Sequence, residues 1–413
     1  MVVAPNIAIC GVSFVVTHGS STSEAFRHGF KQFMYKAWTE HGTGAVDAWQ
    51  FIIVYVLYSG MSIQALAGSP FYGPPTSTGH RPKYWHSGLT YYLLTIEFAI
   101  FFLLFQRLPC YPIYEALPGF TPVLVIVGVV VSVLVYLKGK IKPSPGEHGS
   151  TGSIVWDFFW GLELYPRIGA VFDVKLWTKG RFGMMLWQLL VLTSWKAQVE
   201  KTGWNWAMAA TATLQSAYIA KFFYWERGYL KTMDITFDRA GFYQCWGNIG
   251  FLTPVHALTS FYMVKNSPDT SLFSGVFIIV LGVTMILLTY CSDYQKQILR
   301  ETEGDCIIWG SAPKAIKATY RDASGKERTS LLLASGFWSF CRHPNYFFEI
   351  LSSFCWVLPS GGKSLLPYMF VIYLTTLLTL RAERFENLCS KKYGEHWKTY
   401  CSLVKYKMIP YVF

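Results

Sequence analysis

Apolar residues in this chain come in long runs rather than in short alternations. A bilayer-spanning helix needs about 20 mostly apolar residues. Segments that approach this are 46–67, 88–105, 121–137, 183–198, 204–224, 241–264, 272–291, 332–358 and 364–380. The clearest runs from Thr121 to Leu137 and is ended by Lys138, Lys140 and Lys142. The run 332–358 is broken by Arg342, His343 and Pro344, which predicts two half-spans or a re-entrant piece. Non-helical backbone at that depth is tolerated only inside protein or beside a wet cavity. Between runs, 68–87 and 143–152 are rich in turn formers and read as loops. In 311–330, the alternation Ile316, Ala318, Tyr320 and the turn Asp322-Ala-Ser-Gly325 predict two short strands. The expected fold is therefore all-α, a polytopic membrane bundle of eight to ten spans. Residues 1–45 form a weakly apolar N-terminal segment that lacks the basic start of a secretory signal. Residues 46–413 read as a single transmembrane domain with no internal repeat.

Composition supports this class. Hydrophobic residues make up 52% and aromatics 18% of the 413 positions. Charged residues are 15%, against roughly 25% in soluble domains. The formal charge is +12. Cytosolic loops enriched in Lys and Arg account for such an excess. A nucleic-acid partner is not expected, because so many spans leave little soluble surface. The nine cysteines contain no C-x2-C and the nine histidines no H-E-x-x-H. That argues against a disulfide framework and against a metal site. There is no G-x-G-x-x-G after a strand and no P-loop, so a nucleotide would bind without a Rossmann domain.

Two groups of charges stand out. Segment 221–248 joins two apolar runs and carries Glu226, Asp234 and Asp238. On a continuous helix these three would share a face. They fit a solvated loop paired with Lys231 and Arg239, or a polar floor under a lipid pocket that orients a proton donor. Glu97 and Arg107 suggest a structural pair or a pocket group. Glu163 to Arg167 follows the Trp156–Trp160 cluster and fits an interfacial aromatic belt with a snorkelling Arg. The second group lies toward the C-terminus. Lys296 and Arg300 are four apart and share a helix face. Trp338, Arg342, His343, Asn345 and Tyr346 are close in sequence. Arg381 and Arg384 end the last run, and Lys392, Tyr393 and Trp397 follow. Cations suit phosphates, and rings suit adenine. The set fits a dinucleotide site as well as simple headgroup contact.

The stretch Arg381-Ala-Glu-Arg384-Phe385-Glu-Asn-Leu-Cys389-Ser-Lys-Lys392-Tyr393-Gly394-Glu-His-Trp397 resembles the C-terminal signature of the sterol reductase family. Gly161-Leu-Glu-Leu-Tyr165-Pro166-Arg167 is similar to that family's G-x-x-x-N-P-R, with Tyr165 in place of Asn. Leu333 to Tyr346 and Gly304 to Gly310 are closest to the Δ7-sterol reductase branch. The resemblance implies about ten spans and a cofactor-binding half at about 272–413. It implies NADPH as cofactor, held by Lys296, Arg300, Trp338, Asn345, Arg381, Lys392 and Tyr393. It implies a sterol or sterol-like polycyclic terpenoid drawn from the bilayer, and a place in the endoplasmic reticulum. The pattern departs at the chemistry. The family's Asp after Arg384 is Phe385, which implies one lost polar cofactor contact. Its Asp, Trp, Pro, Tyr and Gln in the substrate half are Asn248, Phe251, Thr253, His256 and Thr259. His256 stands where the family's Tyr would give the proton, and the expectation is that His256 gives it here, helped by Glu226, Asp234 or Asp238. The departures leave two alternatives on the same fold. One is a diene isomerase or terpenoid-tailoring enzyme, and the other is a non-catalytic sterol-binding protein.

Overall fold

The computed structural model describes residues 3–18, 21, 27–66, 68–74, 76, 79–145, 148–321, 325 and 327–412. The chain is mostly helical. Among the described residues, four helices are long and apolar enough to cross a membrane: Val46–Ala65, Gly88–Phe105, Leu117–Ile141 and Leu272–Glu301. The clearest apolar run thus becomes Leu117–Ile141. It opens with Pro118 in its first turn, where the missing N–H is not needed, and closes on Lys138 and Lys140 beside the carbonyl end. Three further apolar runs also form helices. They are Met185–Thr202, Trp206–Tyr224 and Thr253–Asn266. Asn205 caps the second of these, its side chain accepting from the Met208 N–H at 3.0 Å.

Contacts divide the chain into two compact units. The first holds Met1–Gly275 and Pro359–Met369, and the second Val276–Leu358 and Phe370–Phe413.

In the first unit, the helix Val3–His18 buries Ile9 against Val125, Phe242 and Trp246. Glu97 and Arg107 are both exposed. The turn-rich stretch read as a loop carries an antiparallel pair instead, Ser69–Tyr72 with Lys83–His86, in register Ser69 to His86. Two π-helices, Trp177–Met184 and Gly247–Leu252, lead directly into Met185–Thr202 and Thr253–Asn266. A Cβ on Gly183 would meet the Asn248 carbonyl oxygen at 2.9 Å, so the absent side chain lets these two segments touch.

The carboxylate segment corrects the expectation of a single helix face. Glu226–Tyr229 and Met233–Thr236 are separate short turns, followed by an irregular stretch to Gly241. Thr232 is the break. Its backbone is extended, and its hydroxyl donates to the Tyr229 carbonyl at 2.7 Å, closing the first turn.

In the second unit the predicted hairpin is present. Ala315–Arg321 pairs antiparallel with Glu327–Leu333, Ala318 facing Ser330. Residues 332–343 do not continue as a span. They finish the strand and make a single 3-10 turn, Gly336–Ser339, before the helix Pro344–Val357 begins. Gly336 has φ 63°, and a Cβ there would run into Ile308 and the Gln295 side chain. Two last helices, Met369–Tyr393 and Glu395–Leu403, pack on the hairpin through Cys389, Tyr393, Trp397 and Tyr400 around Ala318 and Leu332.

Candidate functional site

The second unit contains a pocket assembled from six pieces of chain. Lys296 and Arg300 come from Leu272–Glu301, and Leu331 to Leu333 from the hairpin. Trp338 comes from the 3-10 turn and Arg342 from the loop behind it. Phe385, Cys389 and Tyr393 recur at four-residue spacing along Met369–Tyr393, so one helix face supplies all three. Trp397 and Tyr400 complete the wall.

The pocket's electrostatics follow from how its cations are met. Arg342 is committed to structure. Its Nε donates to Glu386 at 2.6 Å, and its Nη1 donates to the carbonyls of Val404 and Lys405 at 2.7 and 2.9 Å. Lys296 differs. Its ammonium lies 4.3 Å from the Trp338 ring centre and 5.3 Å from that of Phe385. Among the described residues no ion pair reaches Lys296 or Arg300. Trp338 is held by its Nε1 donating to the Ser292 carbonyl at 2.8 Å. Burial pushes the Cys389 thiol up to about 12, so it stays a neutral part of the wall. Two cations beside stacking rings suit a ligand that carries phosphate and a flat ring.

Of the seven cofactor residues expected from the sequence, Lys296, Arg300, Trp338 and Tyr393 line this pocket. Lys392 and Arg381 lie on the same helix outside the lining, and the Lys392 ammonium sits 4.0 Å from the Tyr320 ring centre. Asn345 donates to Asp293 at 2.9 Å, and its buried Oδ1 has no hydrogen-bond partner among the described residues. That oxygen is an acceptor left for a ligand N–H or a water. Sequence reading did not single out Leu331 to Leu333 or Tyr400 for this site. The hairpin alternation was visible, but nothing in it says what the strand packs against.

The expected proton-donor group lies in the first unit. His256 is buried, its ring edge-on to Trp187 at 4.6 Å. Trp187 is fixed from behind. Its Nε1 donates to Gln215 Oε1 at 2.8 Å, and Gln215 Nε2 donates to Ser260 Oγ at 3.0 Å, one turn beyond His256. The Asn248 carbonyl, in the π-helix just before, accepts from the Thr253 hydroxyl at 2.8 Å. π-helical turns are found disproportionately at functional sites. Thr259 donates to the Pro367 carbonyl at 2.8 Å.

Glu226 has a different occupation. It is fully buried and ion-paired with Arg181, and it accepts from the Gly88 N–H at 3.0 Å. Arg181 in turn donates to Ser87 Oγ at 3.2 Å. Both Glu226 oxygens are thus engaged as acceptors. The backbone carbonyl of Asp238 takes a 2.7 Å hydrogen bond from Lys175, and that of Asp234 one of 2.7 Å from Gln244. Lys175 is fully buried and also donates to the Ile235 carbonyl at 2.7 Å. Burial lowers its pKa to about 8, against the pull of Asp173, Asp238 and Asp234. Arg181 and Lys175 were not singled out in the sequence, and their partners are 45 and 63 residues away.

Comparison with known proteins agrees with the residues. The ergosterol biosynthesis ERG4/ERG24 family matches residues 3–413. A 7-dehydrocholesterol reductase of Arabidopsis thaliana is 40% identical over 367 residues, 89% of this chain and 85% of that protein. A 7-dehydrocholesterol reductase of Danio rerio is 37% identical over 70% of this chain, and the match spans 61% of its length. A Delta(14)-sterol reductase of Methylotuvimicrobium alcaliphilum is 28% identical over 95% of this chain and 88% of its own.

Proposed function

The chain belongs to the ergosterol biosynthesis ERG4/ERG24 family, and from that premise we propose that it reduces a ring double bond of a sterol or sterol-like polycyclic terpenoid, in the manner of the Δ7 reductases, using NADPH. It is an integral membrane protein and an oxidoreductase acting on a CH–CH bond. About ten spans and residence in the endoplasmic reticulum belong to the same proposal. The observation that carries the cofactor reading is the pocket of the second unit, where Lys296 and Arg300 stand beside Trp338 and Tyr393.

Reduction of an isolated alkene adds a hydride to one carbon and a proton to the other. NADPH supplies the hydride when bound. Lys296 and Arg300 would hold its phosphates, and Trp338, Tyr393 and Trp397 would offer ring faces. Asn345, Arg381 and Lys392 extend the site. Arg381 and Lys392 fall near the helix face that carries Phe385 and Cys389. His256 donates the proton from a ring nitrogen, and the Trp187–Gln215–Ser260 chain fixes the indole it rests against. Asp234 and Asp238 remain proposed helpers. Glu226, tied to Arg181 and Gly88, acts on this reading by holding the first unit's polar interior together.

A second reading is favoured by one observation. A ring, Phe385, stands in the pocket where the family carries an acid. A diene isomerase needs protonation and deprotonation but no hydride. Sterol mass spectrometry of a host expressing the chain separates the two. A product two mass units heavier than its precursor supports reduction, and an isomeric product of equal mass supports the second reading.

A further inference from the structure

We infer that Ile307, Trp309 and Phe340 form an apolar foot that seats in the headgroup zone of the bilayer. All three are exposed, at 76%, 58% and 55%. They are held in place. The Trp309 ring packs on Phe337 at 4.9 Å and lies 6.1 Å from Phe340. Trp309 has φ 51°, a left-handed backbone that bulky residues rarely adopt and that surrounding structure must maintain. Ile308, between the two exposed side chains, turns inward onto Leu299, Leu333 and Trp338. Two aromatic rings and an isoleucine are thus presented outward by a rigid base.

The position of this base points to lipid. The Phe337 N–H bonds Gln295 Oε1, and Ile308 packs on Leu299. Both contacts are to the last turns of Leu272–Glu301, past the apolar run that ends at Cys291. At 1.5 Å per residue they lie about 6 to 12 Å beyond it. The polar zone on each side of the hydrocarbon core is about 5 to 8 Å deep. Gln295, which holds the Phe337 turn, falls within that depth and Leu299 beyond it, so an indole packed on Phe337 meets headgroups, where Trp is enriched. Charge does not select an anionic surface. Glu303 and Asp305 are exposed on one side of the foot, and Lys314 and Lys317 follow on the other. The occupant is therefore the general bilayer interface.

The test uses the full chain in phosphatidylcholine vesicles, with the photoreactive p-benzoylphenylalanine in place of Trp309 or, separately, of Phe340. The same probe in place of Lys317, on the exposed face of the hairpin, is the control. Irradiation is expected to give phosphatidylcholine adducts at 309 and at 340 well above those at 317. Lipid labelling at both positions no greater than the control overturns the inference, and so does crosslinking mainly to a second copy of the chain. The Phe340 probe leaves Trp309 intact, so a fold defect in one variant does not shield the idea.

Discussion

The Lys296 ammonium lies 5.3 Å from the centre of the Phe385 ring and 4.3 Å from that of Trp338. Phe385 therefore does more than remove a polar contact. It gives Lys296 an aromatic face, so the cation is held without being neutralised. Phe385→Leu keeps an apolar side chain and loses the ring face, which costs about 1 kcal/mol, or roughly fivefold in NADPH affinity. Lys296→Met removes a charge-assisted contact worth about 1.5–3 kcal/mol, so roughly tenfold or more is expected. Fluorescence titration of the purified variants checks both. Parental affinity in Lys296→Met would remove this pocket as the cofactor site.

His256→Ala is expected to lose about 10²–10⁴ in turnover, the usual worth of a general acid. The measurement is product formation at saturating NADPH and sterol, with His256→Asn as a control that better preserves the packing on Trp187. If both variants turn over at near the parental rate, His256 is a packing residue and another group gives the proton.

Glu226→Gln leaves Arg181 buried without its counter-charge. Breaking a buried pair costs about 3–5 kcal/mol. A large drop in thermal midpoint in detergent is expected, with weaker expression. A variant as stable as the parent but inactive would contradict the structural role and return Glu226 to the chemistry.

Lys175 gives a pH signature. Burial lowers its pKa from 10.5 to about 8. Between those values the unfolded chain binds more protons than the folded one, so folded stability rises with pH. Lys175→Met lacks this titration. The stability of the parent relative to that variant should therefore increase as pH goes from about 8 to about 10. Thermal midpoints of both proteins across that range, at one scan rate, give the answer. A relative decline would mean that Lys175 is charged and fully compensated where it lies.

Legibility followed the range of each interaction. Alternation at Ile316, Ala318 and Tyr320 is local, and the hairpin appeared where it was expected. The four-residue spacing of Lys296 and Arg300 is also local, and both line one pocket. The pair Ser69–Tyr72 and Lys83–His86 was hidden, because Pro70 and the Gly and Pro residues between the strands read only as turn formers. The three carboxylates at 226, 234 and 238 have helical spacing, yet the extended backbone of Thr232 separates two short turns. What holds Glu226 is Arg181, a residue in a π-helix that no sequence period marks. The start of the run 332–358 that looked like membrane is a strand and a 3-10 turn, because Leu332 and Ala334 pack with Ala318, and Leu333 and Trp338 with Leu299 and Ile308.

In the proposed reaction this chain moves a hydride from NADPH to a sterol-type double bond. The most direct measurement is absorbance at the reduced-nicotinamide band with purified chain, NADPH and a Δ5,7-diene sterol, followed by mass spectrometry of the sterol. Loss of NADPH in step with a product two mass units heavier is predicted. An isomerised product with NADPH unchanged, or no turnover with NADPH bound, would contradict it.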